Sequence, residues 1–145
     1  MPQKIVIIHS DPTIDSFQPE EGTGAPVAEI TDTVQSVKQA LTQLGHSVQI
    51  LPLRPPLSSA FNELDNIDAD LVFNLFEGFN GWPESEAAIA HHLENLGVCF
   101  TGCSSRTLRI CENKDLVRRY LQAFDIPTPQ WQVLHPGRHD QFMLD

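Results

Sequence analysis

Apolar residues along this chain come in two rhythms. Lys4 to His9 (KIVIIH) is a short continuous run rich in β-branched residues, the pattern of a strand covered on both faces in a parallel sheet. Ile30, Val34, Val37, Leu41 and Leu44 then recur at spacings of four, three, four and three, which puts them on one stripe of a helix. Gly45 is the expected stop, and Val48 to Leu51 reads as a second strand, completing a β-α-β unit. Between the first strand and this helix, residues 10–28 carry Asp, Pro, Ser, Gly and Glu without periodicity. A loop that long inside a compact domain is usually functional or mobile.

After a Pro-rich connection and a weak helical stretch around Leu57 to Leu64, Asp70 to Asn74 (DLVFN) forms a third buried strand. Polar, glycine-bearing Glu77 to Pro83 follows. Glu84 to Leu96 is helical, with acids in its first turn favourable to the dipole and Gly97 as its stop. Val98 to Thr101 reads as strand four. A last helix spans about Asn113 to Phe124, and Pro127 and Pro129 force an extended path before a short strand at Trp131 to Leu134. The tail from His135 to Asp145 has too few apolar residues to place. Strands alternating with helices at this pace predict a doubly wound parallel sheet of about four strands in a three-layer α/β/α arrangement. In such sheets ligands sit beyond the carboxyl ends of the strands, where the strand order reverses. His9 to Asp11, Asn74 to Gly81 and Thr101 to Ser105 are therefore the segments to search.

Composition narrows the function. The length of 145 residues suits one core. Nineteen acidic against nine basic residues give a net charge of −10, which repels a phosphate backbone and argues against nucleic acid as a partner. No charged leader precedes an apolar run of signal length, and no stretch nears the roughly 20 apolar residues of a spanning helix. A soluble, cytoplasmic protein with no membrane partner is expected. Cys99, Cys103 and Cys111 match no zinc or redox spacing and read as reduced thiols. Adjacent His91 and His92 would point about 100° apart on a helix and cannot jointly grip a metal. Pro136 and Gly137 argue against a helix that would bring His135 and His139 together.

Beyond the third strand, Asn74-Leu75-Phe76-Glu77-Gly78 delivers an amide, a carboxylate and a permissive glycine to the working edge. Such carboxylates hold an ammonium or act as a general acid or base; equally, Asn74 can cap the strand and Glu77 can be a solvated loop acid. Glu84 and Glu86 share this ambiguity, since acids at a helix start are stabilised without a ligand. Thr101-Gly102 leads through Ser104 and Ser105 into Thr107, hydroxyls suited to an anion near a helix start or simply to N-capping. Gly22-Thr23-Gly24 fits neither phosphate-loop pattern. A receiver-type phosphoacceptor fold would need an aspartate where Asn74 stands.

In order along the chain, these pieces resemble the N-terminal part of ATP-grasp ligases, most closely those of the D-alanine–D-alanine ligase type. Leu44-Gly45-His46-Ser47-Val48 is similar to that family's helix-to-strand junction and Asp70-Leu71-Val72-Phe73-Asn74 to its third strand. Glu94 to Cys103 (ENLGVCFTGC) resembles its leucine-gly-ile-pro-tyr-thr-gly-ser pattern. Asn113-Lys114 then stands where the family has Asp-Lys, followed by Ile126-Pro127-Thr128-Pro129. The resemblance is strongest over residues 70–129. It implies a Rossmann-like pre-ATP-grasp domain over 1–112, and over 113–145 a helix and the truncated start of a central ATP-grasp domain. It also implies an activity in which ATP, with magnesium on its phosphates, activates one amino acid's carboxylate for attack by the amine of a second. Lys114 corresponds to a lysine on the nucleotide phosphates, a role an ammonium point charge can fill; a solvated helix lysine is the plainer alternative. Arg118 reads as a surface residue.

The pattern also departs from the family. His9-Ser10-Asp11-Pro12 replaces a Gly-Gly turn, and Glu29 is the nearest equivalent of the glutamate that holds the first substrate's ammonium. Phe76-Glu77-Gly78 stands where Leu-His-Gly is usual, and Gly81-Trp82-Pro83-Glu84-Ser85-Glu86 replaces Gly-Glu-Asp-Gly. A carboxylate in place of an imidazole implies a different amino acid or a peptide as substrate. The second phosphate lysine, glycine-rich loop, magnesium carboxylates and transition-state arginine of the family have no counterpart before Asp145. The 145 residues alone are therefore expected to be inactive and to hold neither ATP nor magnesium. Two other readings stay open, a stand-alone amino-acid-binding module and a homodimerisation domain.

Overall fold

The computed structural model describes residues 1–11 and 25–134, with side chains described at 1–11 and from residue 30 onward. The chain divides into two compact units, Met1–Leu108 and Arg109–Asp145.

The first unit is built on three parallel strands, β1 (Lys4–Ser10), β2 (Ser47–Leu53) and β3 (Leu71–Asn74), in the order β2-β1-β3. The order reverses beside β1, so a switch point lies between the carboxyl ends of β1 and β3. β1 is central and buried from Ile5 to His9, which explains its unbroken apolar run: neither face meets water. Val6 and Ile8 join the core formed with Leu53, Val72, Phe76 and Phe79, α2 (Leu57–Leu64) through Ala60 and Leu64, and α3 (Glu84–Leu96) through Ile89 and Leu93. Ile5 and Ile7 alternate to the opposite face. Against β1 and β2 lies α1 (Ala25–Gln43), whose Val34 is buried. The result is the Rossmann-like α/β/α layering expected from the sequence. Pro52 in β2 is tolerated because that strand is at the sheet edge.

Several boundaries differ from expectation. The sheet has three strands rather than four. Val98 to Thr101 contributes only an isolated bridge, Val72 to Phe100, with Val72 N–H donating to Cys99 O (2.8 Å) and Thr101 N–H to Val72 O (3.0 Å). The next rung of a parallel ladder would run from Asn74 N–H to the Thr101 carbonyl. That N–H instead donates to the Thr101 hydroxyl at 3.0 Å, so a side chain ends the ladder after one bridge. Helix α1 begins at Ala25, inside the expected loop; Gly22-Thr23-Gly24 lies outside the described residues, as do His135 and His139. A short helix, α4 (Ser105–Cys111), stands where no periodicity announced one.

In the second unit, α5 (Lys114–Ala123) starts at Asn113, whose side chain accepts from Leu116 N–H at 3.1 Å, a standard N-cap arrangement. Trp131 to Leu134 is not a strand: after Pro127 and Pro129 the segment pairs with no described strand.

Candidate functional site

The carboxyl edge of the sheet is organised by short polar contacts from three strand ends. At β1, Ser10 Oγ donates to Gly78 O at 2.8 Å, spanning the switch point between β1 and the loop after β3. The next residue, Asp11, is buried; its N–H donates to Leu53 O (2.9 Å), and its Oδ2 accepts from Arg54 Nε at 2.7 Å. That hydrogen bond, reinforced by the charge of Asp11, raises the pKa of the Arg54 guanidinium. The Pro55–Pro56 peptide after it is cis. His9 is buried, with Nδ1 at 2.8 Å from Ser10 O.

At β3, Asn74 is a local structural device. Its Oδ1 accepts from Phe76 N–H at 3.0 Å, an Asx turn that bends the chain off the strand. Glu77 follows, exposed to solvent. Gly78 has φ +91, a conformation that favours glycine, and an added Cβ would lie 3.3 Å from Ser85 Oγ, a tight contact to which Ser85 would have to yield by a few tenths of an ångström. The loop from Gly78 to Pro83 is fastened to α3 by Ser85, fully buried, whose Oγ accepts from Phe79 N–H (2.7 Å) and donates to Trp82 O (2.6 Å). Asn74, Glu77, Glu84 and Glu86 thus belong to one connection, folded by Ser85. Glu84 is exposed and Glu86 half-buried at the start of α3.

The remaining candidates lie elsewhere. Glu29 falls within α1, not ahead of it, and its side chain is outside the described residues. Lys114 is exposed at the first position of α5 in the other unit. The hydroxyl segment before α4 is already supplied with an anion from within. Glu94 accepts from Ser105 N–H at 2.8 Å and from Ser105 Oγ at 2.7 Å, so its carboxylate takes the place suggested for a ligand anion. Those two bonds hold the Glu94 pKa below the ordinary carboxylate value, with His91 adding to the effect. Cys99, Cys103 and Cys111 are exposed and unbridged. Among the described residues no three His, Cys, Asp or Glu side chains converge as a metal site, and no helix is long and apolar enough to cross a membrane.

Sequence reasoning missed three contributors here: Arg54, Ser85 and Glu94. Ser85 left a usable signal, because a serine in the first turn of a helix often bonds back to the segment before it. Arg54 left none, since its role depends on the pairing of β1 with β2.

Comparison with known proteins narrows what this edge belongs to. No family model matches the chain. Among curated proteins it is similar to the D-alanine–D-alanine ligase of Moorella thermoacetica, with 31% identity over 111 residues that make up 74% of this chain and 34% of that enzyme. The D-alanine–D-alanine ligase of Aquifex aeolicus is 30% identical over 70% of the chain and 33% of its own length. For that of Gluconobacter oxydans the identity is 29%, over 66% of the chain and 31% of the ligase. The chain spans about a third of the length of the curated relatives it matches. It is homologous to D-alanine–D-alanine ligases over that third and fits the N-terminal region of a ligase of this type.

Proposed function

We propose that this chain forms part of the amino-acid pocket of an ATP-dependent carboxylate–amine ligase of the D-alanine–D-alanine ligase type. The observation that carries the reading is the homology over most of the chain, joined to a sheet whose switch point has exposed Glu77 on its connecting loop. Glu77, with Glu84, Glu86 and Glu29, supplies carboxylates suited to a substrate ammonium, and Asn74 shapes the turn that presents Glu77. With Glu77 in place of the family's imidazole, the preferred substrate is an amino acid or peptide other than D-alanine alone. ATP is the energy source of the proposed ligase, Lys114 its one nucleotide contact in this chain, and the cytoplasm its site of action. On this reading the 145 residues alone hold neither ATP nor magnesium.

The test is a chimera in which this chain replaces the corresponding third of the Aquifex aeolicus relative, assayed for ADP release with a panel of D-amino acids and dipeptides. Amino-acid-dependent ADP release is expected, and Glu77→Gln should raise KM for the amino acid about tenfold or more, as loss of a charged partner does. A folded chimera silent with every amino acid overturns the reading. The 145-residue chain should show no ADP release unaided; turnover by it alone would equally contradict the assignment.

A further inference from the structure

Arg54 is the feature of the working edge that the reading above leaves without a task. It directly follows β2, and its guanidinium is fixed rather than waving: Nε donates to Asp11 Oδ2 at 2.7 Å. Asp11 is itself held by its backbone N–H on Leu53 O at 2.9 Å. Within the pair, the Asp11 side chain is only 6% exposed while that of Arg54 is 52% exposed. A buried carboxylate therefore grips one side of the guanidinium, and the two terminal nitrogens have no partner among the described residues. A surface ion pair alone would give little stability, yet this geometry aligns a planar donor fork in advance, which is what bidentate recognition of a carboxylate requires.

Its position suits a substrate. β2, β1 and β3 are neighbours in that order, so the ends of β2 and β3 lie roughly 10 Å apart at ordinary strand spacing. Arg54 stands beyond one of them and Glu77 on the loop beyond the other. A cation at one end and a carboxylate at the other match the opposite ends of a peptide-sized zwitterion. Asp11 already balances the guanidinium's charge, so a bound carboxylate adds one negative charge to the site and a phosphate dianion adds two, which favours the carboxylate.

We propose that Arg54, oriented by Asp11, is a binding residue for the carboxylate of a peptide-sized zwitterionic ligand at the carboxyl edge of the sheet. This rests on the amino-acid-pocket reading and adds the group that recognises the ligand's acidic end.

The experiment is a titration of the intact chain with D-alanyl-D-alanine, its C-terminal amide, and inorganic phosphate, followed by NMR of backbone amides and of the Arg54 side-chain N–H. Probe concentrations should reach about 50 mM to reach weak affinities. Saturable shifts at Arg54, Asp11 and Leu53 are expected with the dipeptide, and about tenfold weaker binding with the amide, which lacks the charge. Arg54→Lys keeps the ion pair to Asp11 and hence the fold, but removes the fork. It should weaken the dipeptide about tenfold, leave the amide unchanged and keep the wild-type Tm. Equal binding of dipeptide and amide, an Arg54→Lys chain that binds like wild type, or shifts produced by phosphate alone would overturn the assignment. Dipeptide shifts confined to Glu77 and Gly78 would remove Arg54 and leave the pocket reading standing. No shift from any probe would overturn the Arg54 site while the chimera still decides the ligase reading.

Discussion

Ser85 and Glu94 show how single side chains set the working edge. Ser85 Oγ is the partner of a buried backbone N–H, that of Phe79, and leaving such a donor unsatisfied costs about 1–3 kcal/mol. Ser85→Ala should therefore destabilise the first unit by that amount in denaturant titration, with the largest loss of amide-exchange protection at Phe79. Glu94 acts through charge. Its pKa lies below the ordinary 4.5 because Ser105 bonds the ionised form, so its contribution is complete above that value and disappears as pH falls through the lowered one. Glu94→Gln should lower Tm at pH 7, and the gap from wild type should close as pH drops below about 4.5. Glu77, Glu84 and Glu86 lie on the connection after β3 and at the start of α3, positions that hydrophobic runs make readable, whereas Glu29 falls within α1. Which hydroxyl meets which N–H depends on turns that bring Ser85 under Phe79 and Glu94 beside Ser105, and those turns carry no periodic signal.

At the level of elements, the stop signals were the most legible. Gly97 ends α3 in the left-handed conformation at φ 68, with its N–H on Glu94 O and Leu93 O, as a glycine after an apolar stripe predicts. An added Cβ there meets no atom within 4 Å, so Gly97→Ala should cost only its backbone strain, about 1 kcal/mol, read as a lower midpoint with an unchanged denaturant slope. Elements carried by short apolar runs were less legible. Val98 to Thr101 and Trp131 to Leu134 both have strand-like residues, yet the first is reduced to one bridge by the Thr101 hydroxyl and the second pairs with no described strand. A run of four residues specifies an extended path, and pairing is decided by what lies beside it. Helix α4 escaped notice because seven residues give no usable period.

For the whole molecule, order along the chain carried more than any motif. The relatives match over 96 to 111 residues, far longer than any single motif, although identity is only 29–31%. The net charge of −10 belongs to this scale as well, since it acts as a summed field rather than through one contact. A fluorescently labelled single-stranded oligonucleotide should show no anisotropy change with this chain at about 0.1 M salt, where electrostatic binding would still register; saturable binding there would contradict the exclusion of nucleic acid.

The hydroxyl of Thr101 has a consequence for solubility. A sheet edge that runs for several unpaired residues is a template on which another chain can add a strand, and proteins blunt such edges to avoid aggregation. Here the segment beside β3 keeps ladder geometry at a single bridge before Thr101 captures the Asn74 N–H for its side chain. On this side of the sheet, opposite the β2 edge, an incoming strand therefore finds almost no continuous row of donors and acceptors to copy. Thr101→Val would release that N–H, and its price would be paid as self-association on concentration rather than in the fold of a dilute sample.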